Sequence, residues 1–339
     1  LDLTGDPDNP RLSDAGKAPE GAEIAAEESF FSVNVDILDC VDKAPCDLYR
    51  RNASGQYVLL ASRSSTLDRD ALKRLQFFGI GQLFVQGQDS GCFSRILRTR
   101  LDEIVKNPHI EASVKARVVQ ASCRDAMRRA FDDPRGPFIR QACDMIVPTV
   151  DLIVQSDQAT RYLIQLTSFD HATYVHSTNV GIFAVALARL FFGLDRAHDM
   201  HNLGMGFFLH DLGKCRIPIE ILNKPGPLTE QERQVVNCHV EEGFRILEEN
   251  GIITDEARTI TLEHHEKDNG KGYPRGKMGA DIHPYARICR IADIYEALTA
   301  ERPYHRRRST FDALRIMKEQ EVADVDKALF AHFLQLFAG

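Results

Sequence analysis

The sequence predicts an α+β protein, with a smaller N-terminal α/β domain followed by an all-α helical bundle. Three observations carry this expectation. The 339 residues exceed the roughly 250 at which a single core usually stops growing, so two units are expected. Short strand-like runs, "FFSVNVDIL", "CDLYRR", "QYVLLAS" and "GQLFVQG", cluster between Phe30 and about residue 90. Beyond the "DDPRGP" break at 132–137, apolar residues recur at helical spacing with no convincing strand.

Taken in order, residues 1–29 combine Pro7, Pro10, Pro19 and several glycines with many acidic side chains. They offer too little apolar area to offset the entropy of ordering, and a flexible leader is expected. Residues 30–140 are read as the N-terminal α/β and helical domain, regulatory or structural in role. Within it, "CDLYRR" and "QYVLLAS" flank "NASG" as a hairpin, and "TLDRDALKRLQFFG" is a helix with Thr66 as N-cap and Gly79 as its stop. Residues 141–339 form the helical domain, and the chemistry-bearing residues fall there.

Composition narrows the functional classes. With 43% hydrophobic and 27% charged residues, the chain can bury a core in each unit. A formal charge of -7 lacks the broad basic surface that DNA or RNA polymers require. The apolar run "VGIFAVALARLFFGL" is interrupted by Arg189 and falls short of the ~18 uninterrupted apolar residues of a membrane span, so a buried helix is expected. The start of the chain has no basic segment leading into an apolar run, which points to the cytoplasm. Eight cysteines without a C-x-x-C pair are expected to be reduced, packed thiols.

The densest chemistry is "FFLHDLGKCRIP" at 207–218. His210 and Asp211 stand about 100° apart on a helix, so both can flank one centre, with Lys214 one turn below His210. Gly213 is expected to help stop that helix. A helix C-terminus that simply favours His and Lys would look the same in isolation. His176 opens an apolar helix in "YVHSTNVGIFAVALARL", where the stripe His176, Asn179, Val180, Phe183 is expected to be mostly core. His239 in "CHVEEG", the pair His264 and His265, and Asp293 in "RICRIADIYEALTAERPYH" complete the series.

Together "HSTNV", "LHDLGK", "CHVEEG", "HHEKDNGKGYP" and "ADIYEALTAERPYH" resemble the HD-GYP family of bacterial cyclic di-GMP phosphodiesterases over roughly residues 150–339. The resemblance implies an HD-type all-α bundle. It implies metal ligands His176, His210, Asp211, His239, His264, His265 and Asp293, with Asp211 bridging two ions. Lys214 would touch the scissile phosphate or leaving oxygen, and Arg302, Gly272, Tyr273, Pro274 and His305 would shape or contact the substrate. Such a ligand set is too rich for two tetrahedral zinc ions and suits two octahedral ones, with iron favoured and manganese the alternative. The implied activity is two-metal hydrolysis of cyclic di-GMP to linear pGpG in signalling, with signalling proteins as further partners.

Several positions depart from the family. Ala172 stands where members carry Tyr, or Glu in trinuclear sites. Ala300-Glu301 replaces Ser-Asp, and His305 replaces a basic residue. These departures leave open a slow or inactive module that senses a cyclic dinucleotide or binds proteins. Glu266 is expected to orient an imidazole N–H from behind the ligands.

Overall fold

The computed structural model describes residues 30–38, 41–167, 172–193, 195–300, 307–319 and 325–338. The expected leader at 1–29 lies outside them. The chain packs as two units, Leu1–Asp125 and Ala126–Gly339.

The first unit contains β1 (Phe30–Asn34), α1 (Val35–Leu38), β2 (Leu48–Arg51), β3 (Tyr57–Ala61), α2 (Arg69–Phe77), β4 (Gln82–Gln86), α3 (Ser90–Lys106) and most of α4 (Ala112–Asp132). Its sheet has the order β1-β4-β2-β3. Every pairing is antiparallel. In β1 the pleat alternates, burying Phe31 and Val33 and leaving Phe30 and Ser32 less covered, as period-two side-chain placement requires. The β2–β3 hairpin crosses "NASG" as the sequence suggests, with Asn52 N–H bonded to the Gln56 carbonyl. α2 starts later than expected: Asp68, not Thr66, accepts from the Asp70 N–H, because the chain before it is still pinned through Leu67 N–H to the Asp42 carbonyl. Likewise "FFSVNVDIL" is a strand only to Asn34 and then turns helical.

The second unit is helical: α5 (Gly136–Gln155), α6 (Asp157–Gln165), α7 (Thr173–Phe192), α8 (Met200–Leu209), α9 (Ile219–Leu222), α10 (Glu230–Asn237), α11 (His239–Glu249), α12 (Asp255–Glu263), α13 (Pro284–Thr299), α14 (Thr310–Glu319) and α15 (Lys327–Gln335). α7 is the central element, packed on α8 and α13, while α8 also meets α5 and α12. It is buried without interruption from Val175 to Ala188, so it has no polar face to turn outward. By length and composition α7 could cross a membrane, but 78% of its apolar window is buried inside this unit. Around it, Phe207, Phe208 and Phe333 are fully buried, and the polar residues His176 and Asn179 are enclosed in the same core.

Candidate metal centre

Five helix ends or faces meet around Asp211. α8 ends at Leu209 and hands His210 and Asp211 to a tight turn of 3-10 helix at Leu212–Arg216. That turn lies against the start of α11: a Cβ on Gly213 would fall 1.9 Å from the His239 carbonyl oxygen and 2.4 Å from Gly243 N. Gly213 is therefore needed for close backbone approach. It does not adopt the positive φ of a glycine helix stop, which corrects the expectation from sequence. His239 is the first residue of α11, and His264 and His265 follow the last turn of α12. α7 brings His176, and α13 brings Asp293.

Asp211 divides its two oxygens between two groups of histidines. Oδ1 lies 3.2 Å from His239 Nε2 and 3.8 Å from His264 Nε2. Oδ2 lies 3.2 Å from His176 Nε2, 3.5 Å from His210 Nε2 and 2.5 Å from Lys214 Nζ. Each group, Asp211 with His239, His264 and His265, and Asp211 with His176 and His210, keeps its ligand atoms within 4.8 Å of one another. Asp293 stands between the groups, 3.2 Å from His176 Nε2 and 4.0 Å from His265 Nδ1.

The hydrogen-bond pattern shows what these atoms are ready to bind. His210, His239 and His264 each engage a backbone carbonyl through Nδ1, at Phe207 (2.8 Å), Val236 (2.7 Å) and Thr261 (2.9 Å). A carbonyl can only accept, so Nδ1 carries the proton in all three and Nε2 presents a lone pair inward. The Nε2 atoms of His239 and His264 face each other at 3.4 Å. Both also face a carboxylate oxygen, so lone pairs converge. His210 Nε2 and Asp211 Oδ1 are buried without a hydrogen-bond partner, an arrangement that costs about 1–3 kcal/mol per group unless something satisfies it. A divalent cation in each group would satisfy these atoms, so the residues fit a two-ion centre.

Electrostatics agree with donor atoms prepared for cations. Burial pushes His210 down to about 3 and lowers His239 and His265, keeping their rings neutral. Burial alone would raise Asp211 and Asp293. Lys214 and the histidines beside Asp211, and His176 beside Asp293, outweigh it and hold both carboxyls well below the usual range. His176 differs: burial opposes its charge, but Glu296, Asp211 and Asp293 together raise it well above the ordinary imidazole value.

The loop after α12 lines the same centre. The Tyr273 ring stacks on His265, with centroids 4.7 Å apart and planes inclined by 27°, and its N–H donates to the His265 carbonyl. Gly272 passes so close to the preceding backbone that a Cβ would sit 2.5 Å from Glu266 Cα, while Pro274 is exposed. Glu266 does not orient an imidazole, contrary to expectation. Its two oxygens accept from the backbone N–H groups of Arg275 (2.7 Å) and Lys277 (2.9 Å), because the loop folds back over the buried carboxylate. Glu263 adds a bond to Lys277 Nζ at 2.5 Å. Glu266→Ala is expected to release this loop and raise KM for substrate about tenfold, with metal content retained. This follows from leaving two backbone donors unpaired at about 1 kcal/mol or more in total. Steady-state kinetics with metal analysis checks it, and a raised kcat effect with unchanged KM would refute the loop role.

Arg302 and His305 lie outside the described residues. Sequence reasoning missed Glu296, which is buried and receives Asn179 Nδ2 at 3.1 Å while contacting His176 Nδ1. Asn179 is thus part of the site's surroundings and not ordinary core. The available signal was spacing: Glu296 lies three residues after Asp293 and Asn179 three after His176, one turn along the same helix faces.

Comparison with known proteins places this geometry. Residues 192–329 match the HD domain family. A cyclic di-GMP phosphodiesterase of Pseudomonas aeruginosa is 32% identical over 223 residues, covering 66% of this chain and 52% of that protein. The 3'3'-cGAMP-specific phosphodiesterase 3 of Vibrio cholerae is 38% identical over 156 residues, covering 46% of this chain and 33% of that protein. This chain therefore spans about half the length of the first relative and a third of the second. The solved structure of an HDG"Y"P protein from Bdellovibrio bacteriovorus shares the fold, with a TM-score of 0.68 at 18% identity over 92% of this chain and 100% of that one. The helical unit is an HD domain. Within that class, the motif series resembles the HD-GYP type.

Proposed function

We propose that this protein is a metal-dependent phosphodiesterase that opens cyclic di-GMP to linear pGpG. The observation that carries the reading is Asp211, whose two oxygens serve two separate histidine groups while Lys214 stands against one of them. His176, His210, Asp211 and Asp293 would hold one ion, and Asp211, His239, His264 and His265 the other. Two divalent ions supply activation of water near neutral pH and neutralisation of charge on the phosphodiester. The imidazole-rich donor set favours iron, with manganese the alternative.

The chain's own residues do the rest. Lys214, part-exposed beside Asp211, would stabilise the anionic phosphate or protonate the departing 3'-oxygen. Tyr273, held by the Glu266 brace, gives the substrate an aromatic wall beside His265. Arg302 and His305 would contact phosphate. The similarity to both cyclic di-GMP and 3'3'-cGAMP phosphodiesterases leaves two substrates to separate, and cyclic di-GMP is the reading supported by the first relative.

A second reading rests on Ala172. It is the N-cap of α7, one turn before His176, and makes no side-chain capping bond, so the site has no aromatic or acidic group there. This favours a slow enzyme, or a module that binds cyclic dinucleotide without cleaving it. Incubating metal-loaded protein with cyclic di-GMP and, separately, 3'3'-cGAMP, followed by chromatography, decides between them. Linear pGpG is expected from the first. Tight binding without product would support the sensor reading, and faster cleavage of 3'3'-cGAMP would replace the substrate.

A further inference from the structure

The two groups around Asp211 are built differently from behind. His210, His239 and His264 lean on neutral backbone carbonyls. His176 alone among these four leans on a carboxylate, that of Glu296. Glu296 is 2% exposed, and its other oxygen is held by Asn179 Nδ2 at 3.1 Å, so it has little freedom to turn away. α13 supplies both Glu296 and Asp293, and α7 supplies both Asn179 and His176, so one helix pair sets the whole arrangement.

An imidazole whose N–H donates to a carboxylate is a more basic ligand than one that donates to a carbonyl. Charge acts in the same direction. The His176 group would offer a cation the carboxylates of Asp211 and Asp293 with Glu296 behind, whereas the His239 group would offer three imidazoles and the other oxygen of Asp211.

We propose that Glu296, oriented by Asn179, is a positioning residue that makes the His176 pocket the tighter of the two ion sites. The two sites then fill in sequence, His176 pocket first. This rests on the two-ion reading given above, and it assigns to Glu296 a role in metal affinity separate from contact with substrate.

The test is equilibrium dialysis of the metal-free full chain against Mn²⁺, with bound ion measured per chain, for wild type, Glu296→Gln, Glu296→Asp and Asn179→Ala. Wild type is expected to bind two ions with distinct affinities. Glu296→Gln keeps a hydrogen-bond acceptor but loses the charge, and is expected to weaken the tight site about 10–100-fold and leave the weaker one unchanged. Glu296→Asp is expected to restore part of that loss. Asn179→Ala leaves the carboxylate but frees it, and is expected to weaken the same site about fivefold. Circular dichroism and the thermal midpoint of the metal-free forms show whether each variant is folded. If Glu296→Gln fails to fold, Asn179→Ala decides the matter.

Unchanged affinities in a folded Glu296→Gln, or equal weakening of both sites, would overturn the proposal while leaving the two-ion centre standing. Loss confined to the weaker site would overturn it too. Wild-type protein that takes up no ion would remove the two-ion reading and this inference with it.

Discussion

Asp211→Ala is expected to empty both proposed ion sites at once and to abolish the proposed hydrolysis of cyclic di-GMP. Its Oδ1 faces His239 and His264 and its Oδ2 faces His176 and His210, so among the described residues Asp211 is the one that belongs to both candidate ligand groups. Removing it takes away the anion that would offset two cations in a buried space and leaves converging imidazole lone pairs to hold them alone. It also strands Lys214, whose Nζ lies 2.5 Å from Oδ2. The loss of several kcal/mol of transition-state stabilisation corresponds to a rate reduction on the order of 10³-fold or more. Metal analysis of the purified full chain and chromatography of the products are the two readouts. A variant that keeps both its metal content and its hydrolysis would sink the two-ion scheme.

Gly213→Ala should produce the second large effect, this time through the backbone. The added Cβ meets the His239 carbonyl oxygen at 1.9 Å, Gly243 N at 2.4 Å and the His239 carbonyl carbon at 2.8 Å. None of these is a side chain that can rotate aside, so the turn at Leu212–Arg216 and the start of α11 must separate. The expected cost is about 3 kcal/mol, at the upper end for overpacking, or roughly 6–12 °C in Tm for a unit of this size. Because α11 begins at His239, the same shift moves a proposed ligand, and metal affinity should fall together with stability. Thermal unfolding of the metal-free protein separates the two consequences. A wild-type Tm and wild-type metal content would show that the close approach is not required.

The seven residues singled out as ligands come from five separate stretches of sequence, and the structure brings the other six around the carboxylate of Asp211. They were singled out because the motifs that carry them resemble those of a known family, and a buried His or Asp among apolar helical positions is costly and needs a reason. Short motifs mark such positions even when the intervening chain is ignored. Glu266 was misread for the opposite reason. Its neighbours in sequence are histidines, but its partners are the N–H groups of Arg275 and Lys277, and a loop's path back over a carboxylate leaves no periodic trace. Gly213 was recognised as significant and assigned the wrong cause, since glycine serves a helix stop and a close backbone contact alike.

By itself, the sequence determined that strands precede helices and that α7 is buried, because periodicity and residue type are local properties of the chain, and its motifs pointed to the side chains of the candidate site. Only the tertiary structure decided how those side chains divide. The split of Asp211 between two histidine groups, the turn of each Nδ1 toward a carbonyl, and the seat of Glu296 behind His176 depend on distances between helices far apart in sequence. Hydrogen bonds and ion pairs fall off over a few ångströms, so packing sets them and one-dimensional spacing does not.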